Sequence, residues 1–216
     1  MVDWGMIANL AGGALTTLWI SGVGIAVGVP LGLMLAMTRV SRVPVLSQAV
    51  AVFVSVMRAT PVITLALFVY FGMSAMGLTL SPIVAALITL SVNTSAFHAE
   101  IWRASIMDFP QNQSEAATAF GMSRFQALRL IVLPQAWRAS LPPMVNEMTF
   151  LIKSSPAIAV IGVVDLTRTA SRIAAYTYDP LPPYMSAAII YAVVVFSLVR
   201  IQRLIERMIV HRYGVL

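Results

Sequence analysis

The chain has 216 residues, of which 59% are hydrophobic and only 10% charged, and its mean hydropathy is +0.88. Soluble domains average about 25% charged residues, so this composition excludes an ordinary soluble protein and indicates a polytopic integral membrane protein. There is no cysteine, which excludes a disulfide framework and a thiolate metal site. The net charge of +6 does not indicate a nucleic-acid partner, because the basic residues lie at the ends of apolar runs, as in membrane proteins.

The first apolar run covers residues 10–37. No positive residue precedes it, so we expect a retained span rather than a signal peptide. Three glycines recur every fourth residue on one face of this helix: Gly24, Gly28 and Gly32. This spacing predicts close packing against another helix, whereas a nucleotide-binding glycine loop would need a preceding strand. Arg39 and Arg42 follow the run and predict that this end lies in the cytoplasm.

The second apolar run covers residues 43–76 and is too short for two spans of about 20 residues each, so one long or tilted span is expected. Arg58 interrupts it just before Thr60 and Pro61, and proline removes a backbone donor and disfavours helix at the preceding residue. Irregular backbone at membrane depth is tolerated where it is buried in protein or lines a cavity. Arg58 is therefore a candidate substrate-path residue, and the alternative is a structural arginine paired with a carboxylate.

The third span is predicted over residues 83–99, with Asn93 as a polar residue inside it. His98 and Glu100 mark its lower end. They are two residues apart and lie on different faces of a helix, so no metal site is expected there. Glu100 is interpreted as a member of a helix-end ion pair rather than as a catalytic acid.

Residues 110–134 resemble neither a span nor a random polar loop. Pro110 is predicted to open a first short helix, and Gly121 to end it. Ser123 is predicted to cap a second short helix that stops at Leu133 and Pro134. On spacing alone, an amphipathic hairpin lying on the membrane surface is the alternative.

A fourth span is predicted from Pro142 and Pro143 to residue 164, although Glu147 and Lys153 make it weak by hydropathy. Without this span, the C-terminal arginines would lie on the side opposite Arg39.

The remaining chain is predicted to form a polar, proline-rich outer loop (165–183), a fifth span (181–199) and an interfacial amphipathic helix at the C-terminus. Five spans, with the N-terminus outside and the C-terminus inside, obey the positive-inside rule.

The 110–134 segment also resembles the EAA loop of ABC importer permeases: Glu-Ala-Ala, three residues, glycine, nine residues, then Ile-x-Leu-Pro. In that family this cytoplasmic loop forms coupling helices that dock on the ATPase subunit. The resemblance therefore assigns an ATPase-coupling role to seven residues: Glu115, Ala116, Ala117, Gly121, Ser123, Arg124 and Phe125.

Further motifs extend the resemblance along nearly the whole chain to the polar amino acid permeases, the histidine, glutamate, glutamine and arginine type. They include Arg58-Ala59-Thr60-Pro61, Tyr70-Phe71-Gly72, Ala99-Glu100-Ile101-x-Arg103 and Val160-Ile161-Gly162-Val163. The resemblance implies an all-α integral membrane protein in which residues 1–216 form a single transmembrane permease domain. It implies five transmembrane helices, with the N-terminus out and the C-terminus in. The cytoplasmic coupling helices would lie between spans 3 and 4.

This resemblance also implies the partners and the location, which is the bacterial inner membrane. The partners would be two ATP-binding-cassette ATPase subunits, a second permease subunit, identical or paralogous, and a periplasmic or lipid-anchored amino acid-binding protein. The chain itself is not expected to be an enzyme or to bind a cofactor, because it lacks a Gly-x-x-x-x-Gly-Lys-Ser/Thr loop. ATP and Mg are expected on the partner ATPase.

Two other functional classes remain as alternatives. A self-sufficient secondary transporter or channel would usually need more spans or an internal repeat. A membrane anchor or scaffold would not need an arginine in the middle of a span beside a broken helix.

The candidate substrate path contains six polar residues: Arg58, Thr60, Asn93, Glu100, Lys153 and Asp165. The guanidinium of Arg58 could bind a substrate carboxylate at two points, and Thr60 could serve the ammonium. Asn93 would be a neutral partner, and Asp165 an acidic gate at the outer end. The chain departs from the family pattern at Leu65 and Pro156, which affects the expected substrate but not the expected function.

Overall fold

The computed structural model describes residues 3–41 and 43–213, and within these ranges the chain is helical throughout, without a strand. Arg42, which the topology argument uses, lies outside the described residues. The elements in chain order are α1 Trp4–Val40, α2 Pro44–Ala59, α3 Val62–Leu67, a π-helical turn Phe68–Gly72, α4 Met73–Ala75, α5 Pro82–Met107, α6 Gln111–Ala119, α7 Arg124–Ala127, a second π-helical turn Leu128–Val132, α8 Leu133–Ser154, a 3-10 segment Ser155–Ile161, α9 Leu166–Thr177 and α10 Leu181–Tyr213.

Three helices of the described chain are long and apolar enough to cross a membrane: α1, α5 and the Leu181–Leu204 part of α10. Two bent pairs have the same property when each pair is taken together. They are Pro44–Ala59 with Val62–Ala75, bent by 109°, and Arg124–Ile161 with Leu166–Thr177, bent by 52°. The fold therefore holds up to five crossings by length and composition.

The packing of α1 against α5 rests on the predicted glycine face, which is confirmed. Each of these three glycines faces one residue of α5 with the same four-residue spacing: Gly24 faces Leu90, Gly28 faces Thr94 and Gly32 faces His98. A Cβ atom added at Gly28 would lie only 2.5 Å from the Cβ atom of Thr94. The two backbones approach so closely because these residues have no side chain.

The largest buried apolar cluster lies where α1, α3, α5 and the 3-10 segment meet, around Ile20, Leu65, Leu90 and Ile158. Helix α5 is largely enclosed, whereas α10 is almost entirely on the surface of the chain. The single chain thus has a packed centre and one apolar helix at its edge.

The break in the second apolar run is present at the predicted position. Helix α2 ends at Ala59, Thr60 is extended, and Pro61 precedes α3. The 109° bend is sharper than the long or tilted span that the sequence predicted. Proline disfavours the helical conformation at Thr60, so the chain changes direction there.

The predicted stop at Leu133 and Pro134 is wrong, and so is the predicted start of the fourth segment at Pro142. Helix α7 runs through the π-helical turn Leu128–Val132 into α8 without interruption, and Pro142 and Pro143 lie inside α8. A π-helical turn widens the helix just before Pro134, which relieves the clash between the proline ring and the preceding turn. Packing of Ala136 and Met144 in the core stabilises the helix across its prolines.

The prediction of a polar outer loop is also wrong for most of its length. Residues Leu166–Thr177 form α9, whose N-terminus is capped by Asp165. Leu166, Ala170 and Ala174 recur at helical spacing on its buried face, a period that the polar composition of the segment masks. The C-terminal interfacial helix is not a separate element, since α10 continues through residues 200–213.

Candidate functional site

The end of α6 has the hydrogen bonding of a Schellman motif. The N–H of Gly121 donates to the carbonyl of Thr118 at 2.9 Å, and the N–H of Met122 donates to the carbonyl of Ala117 at 3.1 Å. Gly121 has φ +80, the left-handed conformation that glycine adopts without a steric penalty. The predicted role of Gly121 as the residue that ends the first short helix is therefore confirmed.

The start of α7 is fixed by a capping box, as the sequence predicted for Ser123. The Ser123 hydroxyl accepts from the N–H of Gln126 at 3.3 Å, and the Gln126 side chain accepts from the N–H of Ser123 at 2.8 Å. The side chain of Gln135 donates to that of Gln113 at 2.9 Å, which ties α6 to the start of α8. The second short helix is thus a rigid extension of α8, with α6 folded against it.

A cleft with a volume of about 630 Å³ lies between α6 and α7. Glu115 of α6 and Arg124 of α7 both line it, so the two charged residues of the predicted coupling set share one concave surface. Phe125 is exposed, and Phe120, which the sequence reasoning missed, is 89% exposed. Exposed aromatic side chains beside a charged cleft have the composition of a protein-binding surface.

The two alanines of the coupling set face opposite ways. Ala117 is buried, whereas Ala116 is exposed on α6. The small side chain of Ala117 lets α6 pack closely on the rest of the loop. The small side chain of Ala116 lets a partner approach the backbone on the exposed face of α6. Ser123, Gly121 and Arg124 lie at the junction of the two helices.

Glu100 lies at the centre of a cluster of arginines from three helices. Its carboxylate accepts from Arg39 of α1 and from Arg103 of α5, the latter through Nε at 2.9 Å and also through Nη2. The predicted helix-end ion pair is present, and it also joins α1 to α5. The sequence assigned Arg39 only a topological role, because residues far apart in sequence give no signal of contact.

Arg58 is the loosely held member of this cluster. Its Nη1 atom lies 3.9 Å from Oε2 of Glu100, its side chain is 41% exposed, and its guanidinium lies 5.4 Å from the centre of the Phe97 ring. Arg58 therefore lies against α5, where its exposed side chain has no ion pair shorter than 3.9 Å among the described residues.

The other residues of the predicted path lie in different surroundings. Thr60 donates its hydroxyl to the carbonyl of Val56 at 2.8 Å, which leaves its oxygen able to accept. Asn93 is buried on α5, with no hydrogen-bond partner for Nδ2 among the described residues, and Glu100 follows it seven residues later on the same face. Lys153 is exposed in the last turn of α8.

Asp165 is fully buried, and its Oδ1 atom accepts from the N–H of Arg168 at 2.8 Å at the start of α9. The structure does not bring it into contact with Arg58 or Glu100, and its role as an acidic gate stays a prediction. Within residues 3–41 and 43–213, no group of three histidine or acidic side chains is arranged to hold a metal ion.

Comparison with known proteins gives consistent matches. The family described as binding-protein-dependent transport system inner membrane component matches residues 28–211. The glutamine transport system permease protein of Escherichia coli (strain K12) is 34% identical over 206 residues, 94% of each chain. The L-cystine transport system permease protein of Bacillus subtilis (strain 168) is 36% identical over 212 residues, 95% of this chain and 91% of that one. A crystal structure of an amino acid ABC transporter with histidines superimposes with a TM-score of 0.89 at 32% identity, covering 96% of this chain and 99% of that chain.

Proposed function

The chain belongs to the family of binding-protein-dependent transport system inner membrane components, and we propose that it is the permease subunit of an ABC importer for polar amino acids. Relatives named for glutamine and L-cystine transport, each similar over more than nine tenths of its length, support this substrate class. The solved amino acid ABC transporter supports it independently through its fold. The subunit transports, and a partner subunit hydrolyses ATP.

The observation that carries the proposal is the structure of the 110–134 loop. Two short helices are joined by a left-handed glycine and enclose a cleft, while Phe120 and Phe125 point into solvent. We assign this surface to the partner ATPase, with Glu115 and Arg124 as its charged contacts. Because α7 is continuous with α8, movement of the loop is transmitted directly into a membrane-spanning helix.

In the proposed topology the chain crosses the inner membrane five times, with the N-terminus outside and the C-terminus in the cytoplasm. Each bent helix pair is taken as one span. Arg39, Arg103, Arg124 and Arg138 then lie on the cytoplasmic side together with the arginines of the C-terminal part of α10, as the positive-inside rule requires.

The substrate path in this proposal runs beside the break at Thr60 and Pro61. The guanidinium of Arg58 is exposed and weakly paired, so it can bind a carboxylate in two-point fashion without breaking a strong ion pair first. Asn93, Glu100, Lys153 and the Asp165 gate complete the proposed path. Alternating access would expose it to each side of the membrane in turn.

The proposed assembly contains two permease subunits, identical or paralogous, and two ATPase subunits that hold ATP and Mg. A periplasmic or lipid-anchored amino acid-binding protein delivers the substrate, and the family description itself names such a protein. The exposed apolar faces of α10 and α2 are available to lipid and to the second permease.

The experiment that tests the path replaces Arg58 with lysine, which keeps the charge and removes the planar fork. The Arg58→Lys complex should assemble with the ATPase, keep its basal hydrolysis and lose apparent transport affinity. If the arginine only holds the helices together, the complex should dissociate or aggregate, and removal of Glu100 or Glu147 as well should restore it. Wild-type uptake kinetics in Arg58→Ala would refute both roles.

A further inference from the structure

A buried polar cluster lies at the elbow between α8 and α9, and we call it the elbow cluster. It contains side chains from α1, the 3-10 segment, the start of α9 and α10: Thr17, Ser155, Asp165, Thr167 and Tyr191. Three of them, Thr17, Ser155 and Asp165, are at most 2% exposed. Burying polar groups in a membrane protein is unfavourable unless they are hydrogen-bonded, and a buried ionisable side chain such as Asp165 is a candidate functional position.

The hydroxyl of Tyr191 is the centre of this cluster. It lies 3.2 Å from Oγ1 of Thr167, and the side chains of Thr17 and Ser155 are close enough to interact with it. Tyr191 also packs against the buried apolar cluster that contains Leu166 and Ala170 of α9. One hydroxyl on α10 therefore bonds the first turn of α9.

Asp165 fixes the other side of the elbow. Its carbonyl accepts from the hydroxyl of Thr169 at 2.7 Å, and a Cβ atom added at Gly13 of α1 would lie 2.9 Å from that carbonyl oxygen. The Oδ2 atom of Asp165 has no hydrogen-bond partner among the described residues. The elbow is thus held against α1 by close backbone approach and against α10 by the hydrogen bond between Thr167 and Tyr191.

The clamped segment is the far end of the helix that carries the coupling loop. Residues Arg124–Ser154 run without a break, about 45 Å at the helical rise, and the 3-10 segment Ser155–Ile161 follows directly. Arg168 of α9 donates through Nη1 to the carbonyl of Ala159 at 2.7 Å and so secures that segment. A displacement at the coupling loop moves the whole helix unless its far end is held.

We propose that Tyr191 is a positioning residue for transport, which holds the 3-10 segment through the elbow cluster. With the elbow fixed, a displacement of the coupling loop rotates α8 about its far end instead of shifting the helix along its axis. This inference rests on the proposed transport function, and it assigns Tyr191 no contact with substrate.

The test is Tyr191→Phe, which removes one hydroxyl and leaves the ring. Tyr184→Phe is the matched control, because the Tyr184 hydroxyl also bonds a hydroxyl, that of Ser171 at 3.0 Å, but in an exposed position of the same helix. Loss of one hydrogen bond should lower the population of the held elbow conformation about fivefold. In the complete importer reconstituted in liposomes, the amount of ATP hydrolysed per substrate transported should therefore rise about fivefold in Tyr191→Phe. The KM for the binding protein should not change, and Tyr184→Phe should match wild type.

A second readout follows the elbow itself. The chain has no native cysteine, so a single cysteine can replace Val160, which is 46% exposed in the 3-10 segment. Its labelling rate should rise about fivefold in the Tyr191→Phe background and stay constant in Tyr184→Phe. Thr167→Val, which removes only the partner hydroxyl, should act in the same direction.

Three results would overturn the inference. They are an unchanged ratio of ATP to substrate with unchanged labelling in Tyr191→Phe, an equal effect of Tyr184→Phe, and failure of Tyr191→Phe to assemble while Thr167→Val behaves as wild type. Lack of uptake by the wild-type complex would instead count against the proposed function, so the two failures are distinguishable.

Discussion

Substitution of Gly121 by valine separates a coupling defect from a folding defect. Gly121 has φ +80, and no atom lies within 4 Å of the position that a Cβ atom would take. The Cβ atom of valine therefore meets no neighbour, and the expected effect comes from the backbone conformation. The left-handed conformation costs an L-residue about 1–2 kcal/mol, which changes the population of the loop conformation by roughly 5- to 30-fold.

Because Gly121 joins α6 to the start of α7, this strain acts on the angle between the two helices. Relief of the strain by a change in φ would break the Schellman hydrogen bonds from Gly121 and Met122. The cleft shared by Glu115 and Arg124 would then change shape while the membrane helices stay packed. We expect normal expression, with substrate-stimulated ATPase activity and transport reduced together.

Gly77 provides the matched control. It has φ +87, and again no atom lies within 4 Å of the position that a Cβ atom would take, but it lies in the turn between α4 and α5. Gly77→Val therefore introduces the same backbone strain away from the coupling loop, and it should leave the ATPase response intact. Gly121→Asn should retain most activity, because asparagine tolerates the left-handed conformation.

The assay is ATP hydrolysis and uptake by the complete complex in liposomes, with and without the binding protein. Wild-type stimulation and uptake in both Gly121→Val and Glu115→Ala would refute the coupling role of the loop. Equal losses in Gly121→Val and Gly77→Val would refute the claim that the position matters and would leave only a general effect of strain.

Three further predictions use the same chain. Gly28→Val should destabilise the permease by about 1–3 kcal/mol through overpacking against α5. Gly22→Val, whose Cβ atom would meet no atom within 4 Å, should leave the thermal unfolding midpoint unchanged. Glu100→Gln should reduce the free energy of unfolding by about 1–2 kcal/mol and so lower the same midpoint, an effect smaller than for a fully buried pair because the Glu100 side chain is 24% exposed. An unchanged midpoint would contradict its role in joining α1 to α5. A single cysteine at Tyr178 should be labelled from outside intact cells and one at Gln126 only after permeabilisation, and external labelling at Gln126 would contradict the proposed topology.

Local signals in the sequence predicted the local features of the fold. The four-residue spacing of Gly24, Gly28 and Gly32 predicted the contact of α1 with another helix. Gly121 and Ser123 predicted the turn and the cap of the coupling loop, and Thr60 with Pro61 predicted the break after α2. In each case the size or the conformational preference of single residue types was enough to predict the feature without tertiary context.

The predictions that failed depended on tertiary packing. Pro134 and Pro142 were expected to mark helix boundaries, but a π-helical turn and a packed face keep α7 and α8 continuous. The polar composition of α9 concealed its amphipathic period. The contacts of Arg39 in the candidate site and of Tyr191 in the elbow cluster join positions far apart in the chain, and no local pattern in one sequence indicates such contacts.

The proposed function requires that this chain transports polar amino acids only together with an ATPase that docks on the 110–134 loop. The decisive measurement is the uptake of a labelled polar amino acid into liposomes that contain the chain, its partner ATPase and its binding protein. We expect uptake against a gradient that requires ATP and is lost when the ATPase is omitted. Equal uptake by the chain without the ATPase would contradict the proposed function and would identify a self-sufficient transporter or channel.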